Sequence, residues 1–447
     1  MNDMTEGGIR GHLLRFALPL LVGDIFQQMY HAVDSILVGR LIGEDAFAAV
    51  GVAYPVVNVI LFLIVGLCVG ASVLMSQMYG AGDTEGFRRE VSTSFFLGAV
   101  GAVLIGITAV IFLNPLLRAI QTPDVLMEDT RRYLLTIFGG LIFTFLYNIY
   151  SAAFRSVGNA KAGLFFLIFS SVANVVLDIL FIAVFSLGVF GAALATVLSQ
   201  ALSVLLCALY SRRRVPVLHL RRSNLVFDKE MAVRTFRCSW ISALQQASLH
   251  IGILLIQRAV NPLGTSAIAA FTAVSRLDAF VLLGNFSISN AMTTFIAQNL
   301  GAEKYGRIRK GFSAGRMMLV VYCAAAGVFV MIFKESLIGL FVKDISPKIL
   351  EMGSAYYRVM APGFLLAAFG DSCQGYFRGV GRFDETLLVT VLQITIRVIL
   401  TYMLVEAFRI QAVAIAMCCG WSGLVVLSGI WQKRHLGRLL GNGEVAA

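Results

Sequence analysis

The chain has 447 residues, of which 58% are hydrophobic and only 14% charged, with a mean hydropathy of +0.82 and a formal net charge of +11. That balance excludes a disordered chain, a disulfide scaffold and a soluble enzyme of ordinary surface, which would carry ~25% charged residues. Twelve membrane helices of ~20 residues need ~240 apolar positions; the composition supplies them, so the chain reads as an all-α polytopic membrane protein.

The spans are predicted in chain order at 13–38, 46–78, 91–113, 131–154, 162–184 and 188–210, then at 236–260, 267–300, 312–334, 352–377, 384–406 and 410–432. Asn2 to Gly11 is polar and the first apolar run is too long for a signal-peptide core, so no cleavable signal is expected. With both termini placed in the cytoplasm, 24 of the 36 Lys and Arg residues fall on cytoplasmic loops and 10 on the other side. This is the charge bias of a cytoplasmic-in topology. It accounts for the positive charge without a nucleic-acid partner. Between the two sets of six lies 211–235, a polar, basic linker containing Pro216. It reads as a plain cytoplasmic loop or as a contact for anionic lipid headgroups. The predicted lobes are 1–210 and 236–447. The seven cysteines lie mostly in apolar runs, show no CxxC spacing and are odd in number, so they read as small buried apolar residues.

The two lobes are copies. GEDAFAAV at 43–50 meets GTSAIAAF at 264–271, and Gln77, Gly80, Ala81 and Arg88 recur 221 positions later as Gln298, Gly301, Ala302 and Arg309. Phe154, Arg155, Val157 and Gly158 recur 223 positions later as Phe377, Arg378, Val380 and Gly381. A near-constant offset is more than composition gives. Six spans per copy make the repeat parallel, related by an axis along the membrane normal. Such an arrangement suits a transporter whose lobes rock around a central site.

Several polar residues sit where hydrocarbon should exclude them. The first span carries Asp24, Gln27, Gln28, His31 and Asp34, with Gln27, His31 and Asp34 on the face of Asp24. The fifth carries Asn174 and Asp178 at i and i+4, and the sixth Thr196, Ser199 and Gln200. A carboxylate at the bilayer centre costs ~2.5–3.5 kcal/mol. Helix-to-helix hydrogen bonds return only ~0.6 kcal/mol each, so Asp34 with Asp178 is expected to form an ion site. Asp24 and Gln27 are accessory candidates, and Asp24 could instead stand nearer the cytoplasmic end. His31 is a proton relay or an interhelical histidine. Oxygen ligands suit Na⁺, and the same carboxylates suit H⁺. In the second copy Arg397 falls at the position of Asn174 and Thr401 at that of Asp178. Arg276 with Asp278, or Arg397 with Asp371, is expected as a structural ion pair. Pro19, inside the first span, is a hinge or a static kink.

These features together resemble the multidrug and toxic compound extrusion (MATE) family: LPLLVGDIFQQMYHAVDSILVGRLIG in the first span, QMYGAGD and FRSVGNAK between spans, and six-plus-six repeats over nearly the whole chain. The resemblance implies a two-lobed bundle of twelve helices with a V-shaped central cleft. It also implies antiport of cationic, amphipathic compounds against Na⁺ or H⁺. In the branch similar to DinF and the archaeal members, the cation site takes an Asp of the first span, an Asn-x-x-x-Asp pair of the fifth and a Thr of the sixth. Those positions read here as Asp34, Asn174, Asp178 and Thr196, and the hinge proline as Pro19. In the NorM-like branch acidic residues of the seventh and tenth spans hold Na⁺. The seventh span here offers Gln245 and Gln246 and no carboxylate, and Asp371 lies about a turn from the tenth-span position.

The expectation is therefore a secondary active multidrug exporter in the plasma membrane, monomeric, without an organic cofactor. Its substrate cleft would draw on Tyr30, Tyr54, Tyr147, Met292, Asp371 and Arg397. The alternative is a lipid-linked oligosaccharide flippase of the same wider superfamily, which would need a strongly cationic cavity. An integral-membrane enzyme is disfavoured by the scatter of the five histidines, and a channel by the lack of a repeated pore loop.

Overall fold

The computed structural model describes residues 3–120, 122–218, 227–339 and 347–444, without the side chains of His31, Ala32, Ser35 and 439–444. Fourteen α-helices follow in order: α1 (Ile9–Leu41), α2 (Glu44–Gly80), α3 (Thr84–Ile111), the short α4 (Leu113–Ala119), α5 (Asp124–Gly139), α6 (Leu141–Ser156), α7 (Ala160–Asp178), α8 (Gly188–Arg214), α9 (Lys229–Val260), α10 (Thr265–Gly301), α11 (Tyr305–Gly339), α12 (Pro347–Gly379), α13 (Phe383–Phe408) and α14 (Gln411–Glu444). Among the described residues there is no strand.

Among the described residues nine helices are long and apolar enough to cross a bilayer, and α5 with α6 makes one further span bent by 48°. The helices α1 and α12, 33 residues each, are as long but more polar, because they carry the Asp24–Asp34 seam and the Asp371 region. The six-plus-six order of the sequence thus has a helix for every predicted span. Part of the linker at 219–226 lies outside the described residues. Before and after it, α8 runs on to Arg214 and α9 begins at Lys229, so much of 211–235 is helical.

The bend between α5 and α6 falls at Gly139 and Gly140. A 223-residue shift lands on Pro362 and Gly363, inside the continuous α12. Both copies therefore weaken the same point of the same span, one with paired glycines and one with a missing N–H donor. The two loop motifs have a common geometry. Gly82 and Gly158 adopt φ of +70° and +76°, which stops the preceding helix. The next residue then caps the following one: Asp83 accepts from the Gly86 N–H at 2.8 Å, and Asn159 from the Ala162 N–H at 3.2 Å.

Contacts divide the chain into two units: Met1–Asp3 with Val22–Ala243, and Met4–Leu21 with Leu244–Ala447. This differs from a division at the linker. The opening stretch of α1 goes with the second unit, and the opening stretch of α9 goes with the first. The two switch points, after Leu21 and after Ala243, are 222 positions apart, so the repeat sets them. In the first unit Ile64, Leu134, Phe145, Phe154 and Phe166 are buried in one apolar cluster. The first part of α9 packs closely on α2 there: a Cβ on Gly66 would lie 2.5 Å from the Ala243 Cα, and one on Gly70 2.4 Å from the Ser239 N. A small-xxx-small pair is the usual means of bringing two membrane helices that close. In the second unit Tyr356, Tyr357, Phe364, Tyr376 and Phe377 are fully buried. Leu104, Phe165, Val328 and Met403 are more than half exposed, as lipid-facing side chains are.

Candidate ion-coupling site

The first unit brings Asp34, Asn174, Asp178 and Thr196 together. Asn174 and Asp178 share one face of α7 through their i, i+4 spacing, along with buried Ser170. Directly after Asp178 the helix widens into a π-helical turn, Ile179–Val184, in which the Phe185 N–H reaches back to the Leu180 carbonyl at 3.0 Å. Such turns recur at functional sites because they re-aim the side chains beside them. Thr196 stands on α8 with its hydroxyl donating to the Ala192 carbonyl at 3.2 Å.

Asp34 is 8% exposed, Asn174 1% and Asp178 0%. The Asp34 and Asp178 side chains are hydrogen-bonded to each other. The Asn174 amide satisfies both of its ends when its nitrogen donates to Asp178 Oδ2 at 2.8 Å and its oxygen accepts from the Thr196 N–H at 3.1 Å. Two oxygens, Asp34 Oδ1 and Asp178 Oδ1, are buried with no hydrogen-bond partner. A buried acceptor without a donor is costly, and a cation or proton is what relieves it. The cluster gathers side-chain oxygens, the ligand type that hard cations prefer.

Two tyrosines complete the surroundings. The Tyr30 hydroxyl is hydrogen-bonded to the Thr196 side chain, so Tyr30 belongs to this site as well as to the cleft expected for it. Tyr133, 8% exposed, lies in the field of both carboxylates. Sequence reasoning missed it, because it follows Arg131 and Arg132 at the start of a span and reads as a membrane-interface aromatic.

The other candidates are dispersed. Asp24 stands in the field of Arg155, which donates to Ser151 Oγ at 2.8 Å. Gln27 is exposed, and the His31 side chain lies outside the described residues. Pro19 lies inside the unbroken α1, two residues before that helix passes from the second unit to the first. Tyr54 is 49% exposed, whereas Tyr147 packs against the core of the first unit. Met292 is 0% exposed and lies against Gly315, which makes it a core residue of the second unit.

The ion pairs expected in the second copy are partnered differently. Asp278 accepts from the Tyr356 hydroxyl at 2.5 Å and has Arg397 in its field, while Arg276 is exposed. The residue i+2 on a helix points away from residue i, so Arg276 and Asp278 do not face each other. Asp371 is hydrogen-bonded to Asn285 and lies in the field of Arg378. Gln245, Gln374 and Thr390 form a buried neutral network with bonds of 2.8–2.9 Å.

Comparison with known proteins bears on the fold and the family. The MatE family model matches twice, at residues 19–180 and 242–403, two stretches offset by 223 positions. The probable multidrug resistance protein YpnP of Bacillus subtilis is 26% identical over 392 residues, 87% of each chain. The multidrug export protein MepA of Staphylococcus saprophyticus is 23% identical over 381 residues, 85% of this chain and 84% of the relative. A crystal structure of a MATE protein in its bent conformation superposes with a TM-score of 0.92 at 23% identity, covering 99% of this chain and 98% of that one. The family match spans most of both repeats, in the register that the internal duplication sets, and the chain belongs to the MatE family, a family of multi-pass membrane transporters rather than of enzymes.

Proposed function

We propose that the protein is a secondary active exporter that exchanges cationic, amphipathic organic compounds for one H⁺ or Na⁺ held at Asp34 and Asp178. The observation that carries this reading is the carboxyl pair: two buried acids side by side, with Asp34 Oδ1 and Asp178 Oδ1 receiving no hydrogen bond from any other group. Both acids bare would face each other's charge in a low-dielectric medium. The pair therefore takes up a small cation from the side where that cation is abundant. Asn174 orients Asp178, and Thr196 with Tyr30 closes the polar shell. One charge crossing 100 mV supplies ~2.3 kcal/mol, and one pH unit adds ~1.36, enough for a substrate gradient of a few hundred-fold. The names of the relatives, a multidrug export protein and a multidrug resistance protein, support organic drugs as cargo. The charge bias of the loops supports both termini in the cytoplasm; the reading takes the protein to work in the plasma membrane as a monomer without an organic cofactor.

The test is transport in proteoliposomes under Na⁺ and pH gradients imposed separately. An ethidium-like dye should move against its own gradient under at least one of them. Unchanged transport by both Asp34→Asn and Asp178→Asn would remove the site.

A further inference from the structure

The segment before α1 is not loose. Met4 is 1% exposed and Thr5 7%, and both belong to the second unit. Four side chains around the α10–α11 junction bind the main chain of residues 4–7. The Met4 N–H donates to Gln298 Oε1 at 3.1 Å. The Met4 carbonyl accepts from Asn299 Nδ2 at 3.2 Å and Arg307 Nη2 at 3.0 Å. Lys304 Nζ donates to the Thr5 carbonyl at 3.1 Å and to its hydroxyl at 3.3 Å. Arg307 also donates to the Glu6 and Gly7 carbonyls, at 3.1 Å each, and its Nε is held by Asn299 Oδ1 at 3.1 Å. Cationic donors on a row of carbonyls make strong, directional bonds.

The repeat shows that this pocket is not a by-product of the fold. Gln298 has its counterpart in Gln77, but at the same offset Asn299, Lys304 and Arg307 become Met78, Asp83 and Gly86. There Asp83 is spent capping its own helix on the Gly86 N–H. Only the second copy carries the cations that can hold a main chain.

The helix that follows this segment also carries Asp34. α1 runs unbroken from Ile9 to Leu41, with its opening stretch in the second unit and Asp34 in the first. If the two units move during transport, as the proposed antiport requires, such a helix must flex near Pro19 or release one end. We propose that Gln298, Asn299, Lys304 and Arg307 form a docking pocket for residues 4–7 of this same chain, and that the docked segment is a latch that opens in each transport cycle, releasing this end of α1 in place of a flex near Pro19. The proposal rests on the antiport reading for the cycle that it gates. The docking contacts stand without it.

The latch is tested by closing it. Thr5→Cys and Lys304→Cys, in a background with Cys238, Cys418 and Cys419 replaced by serine, are joined by a short bis-methanethiosulfonate reagent. Dye efflux should fall at least tenfold on cross-linking and return on reduction, each read against the same double-cysteine protein before the reagent, and the reagent should leave each single-cysteine protein at its own untreated rate. Loosening is the second arm. Arg307→Ala should raise the rate at which Thr5→Cys reacts with a thiol reagent by tenfold or more, and Arg307→Lys should keep most of the protection. Full-rate efflux by the cross-linked protein overturns the latch, and so does an unchanged labelling rate in Arg307→Ala. The two readings fail separately. If Asp34→Asn stops efflux but the cross-link does not, the ion site stands and the latch falls; the reverse pattern keeps the latch and discards the ion site.

Discussion

In the first repeat, α7 presents Asn174 and Asp178 on one face, and Asp34 meets them from α1. The same two positions of the second repeat, 223 residues on, hold Arg397 and Thr401 on α13, and Thr401 spends its hydroxyl on the Arg397 carbonyl at 2.7 Å. A tyrosine is kept in both: Tyr133 and, 223 positions later, Tyr356. Each stands by a carboxylate, but Asp278 comes from α10, the copy of α2, and not from the copy of α1. The sums of charge differ accordingly. Asp34 and Asp178 are burdened first by burial and then by each other, whereas Asp278 has a guanidinium in its field. The second copy thus has a fixed cation beside its acid, and on the proposed reading the first takes one up from solution.

The largest effects should come from the borrowed-cation side. Asp34→Asn or Asp178→Asn keeps the shape and removes the charge that must be compensated. Each should reduce gradient-driven dye efflux to background at normal membrane insertion, a loss of about 100-fold if the coupling interaction is worth ~2.7 kcal/mol. Fluorescence-detected insertion and proteoliposome efflux read the two quantities separately. The second repeat should answer in stability. Arg397→Gln leaves Asp278 buried without its neighbouring cation, a cost on the order of 1–3 kcal/mol at an effective dielectric near 20. The melting temperature in detergent should fall by several degrees, and Asp278→Asn added to Arg397→Gln should restore most of it. Arg397→Gln as stable as the parent would mean that the second copy is not balanced by that arginine.

The parts of this comparison that were legible in the sequence are those written in one helix. Asn174 and Asp178 are four apart in an apolar run, and Asp34 sits in a polar seam too expensive to face lipid; pairing them followed from cost alone. The offset of 221–223 was legible because the loop motifs need glycine and a capping residue at fixed places. What crosses from helix to helix was not. Asp278 has Arg276 two residues away in sequence, yet its partners are Tyr356 and Arg397, brought by α12 and α13. Tyr133 gave no signal, since an aromatic in a membrane span is usually lipid-facing or core, and Tyr30 was expected in the substrate cleft and not beside Thr196. Nor does hydropathy record which unit a helix packs on, so the exchange of the opening stretches of α1 and α9 appears only in the contacts.

The retained tyrosine gives the smallest and sharpest comparison. Tyr356→Phe removes a defined bond, Oη to Asp278 Oδ2 at 2.5 Å, beside an acid that already has Arg397 in its field. A bond to a charged acceptor contributes about 1.5–3 kcal/mol, so thermal stability should drop while the ion concentration that half-saturates transport stays where it was. Tyr133→Phe removes a hydroxyl dipole from the field of the two acids that must take up and give back a cation. Its effect should fall on affinity, a shift of about three-fold in half-saturating Na⁺ or of about half a pH unit in the transport profile, equivalent to ~0.7 kcal/mol, with little change in melting temperature. If both substitutions moved only stability, Tyr133 would be a packing residue and the ion site would end at Tyr30. If both moved the ion response, the arginine of the second copy would not be closing that site, and the protein would carry two ions per cycle in place of one.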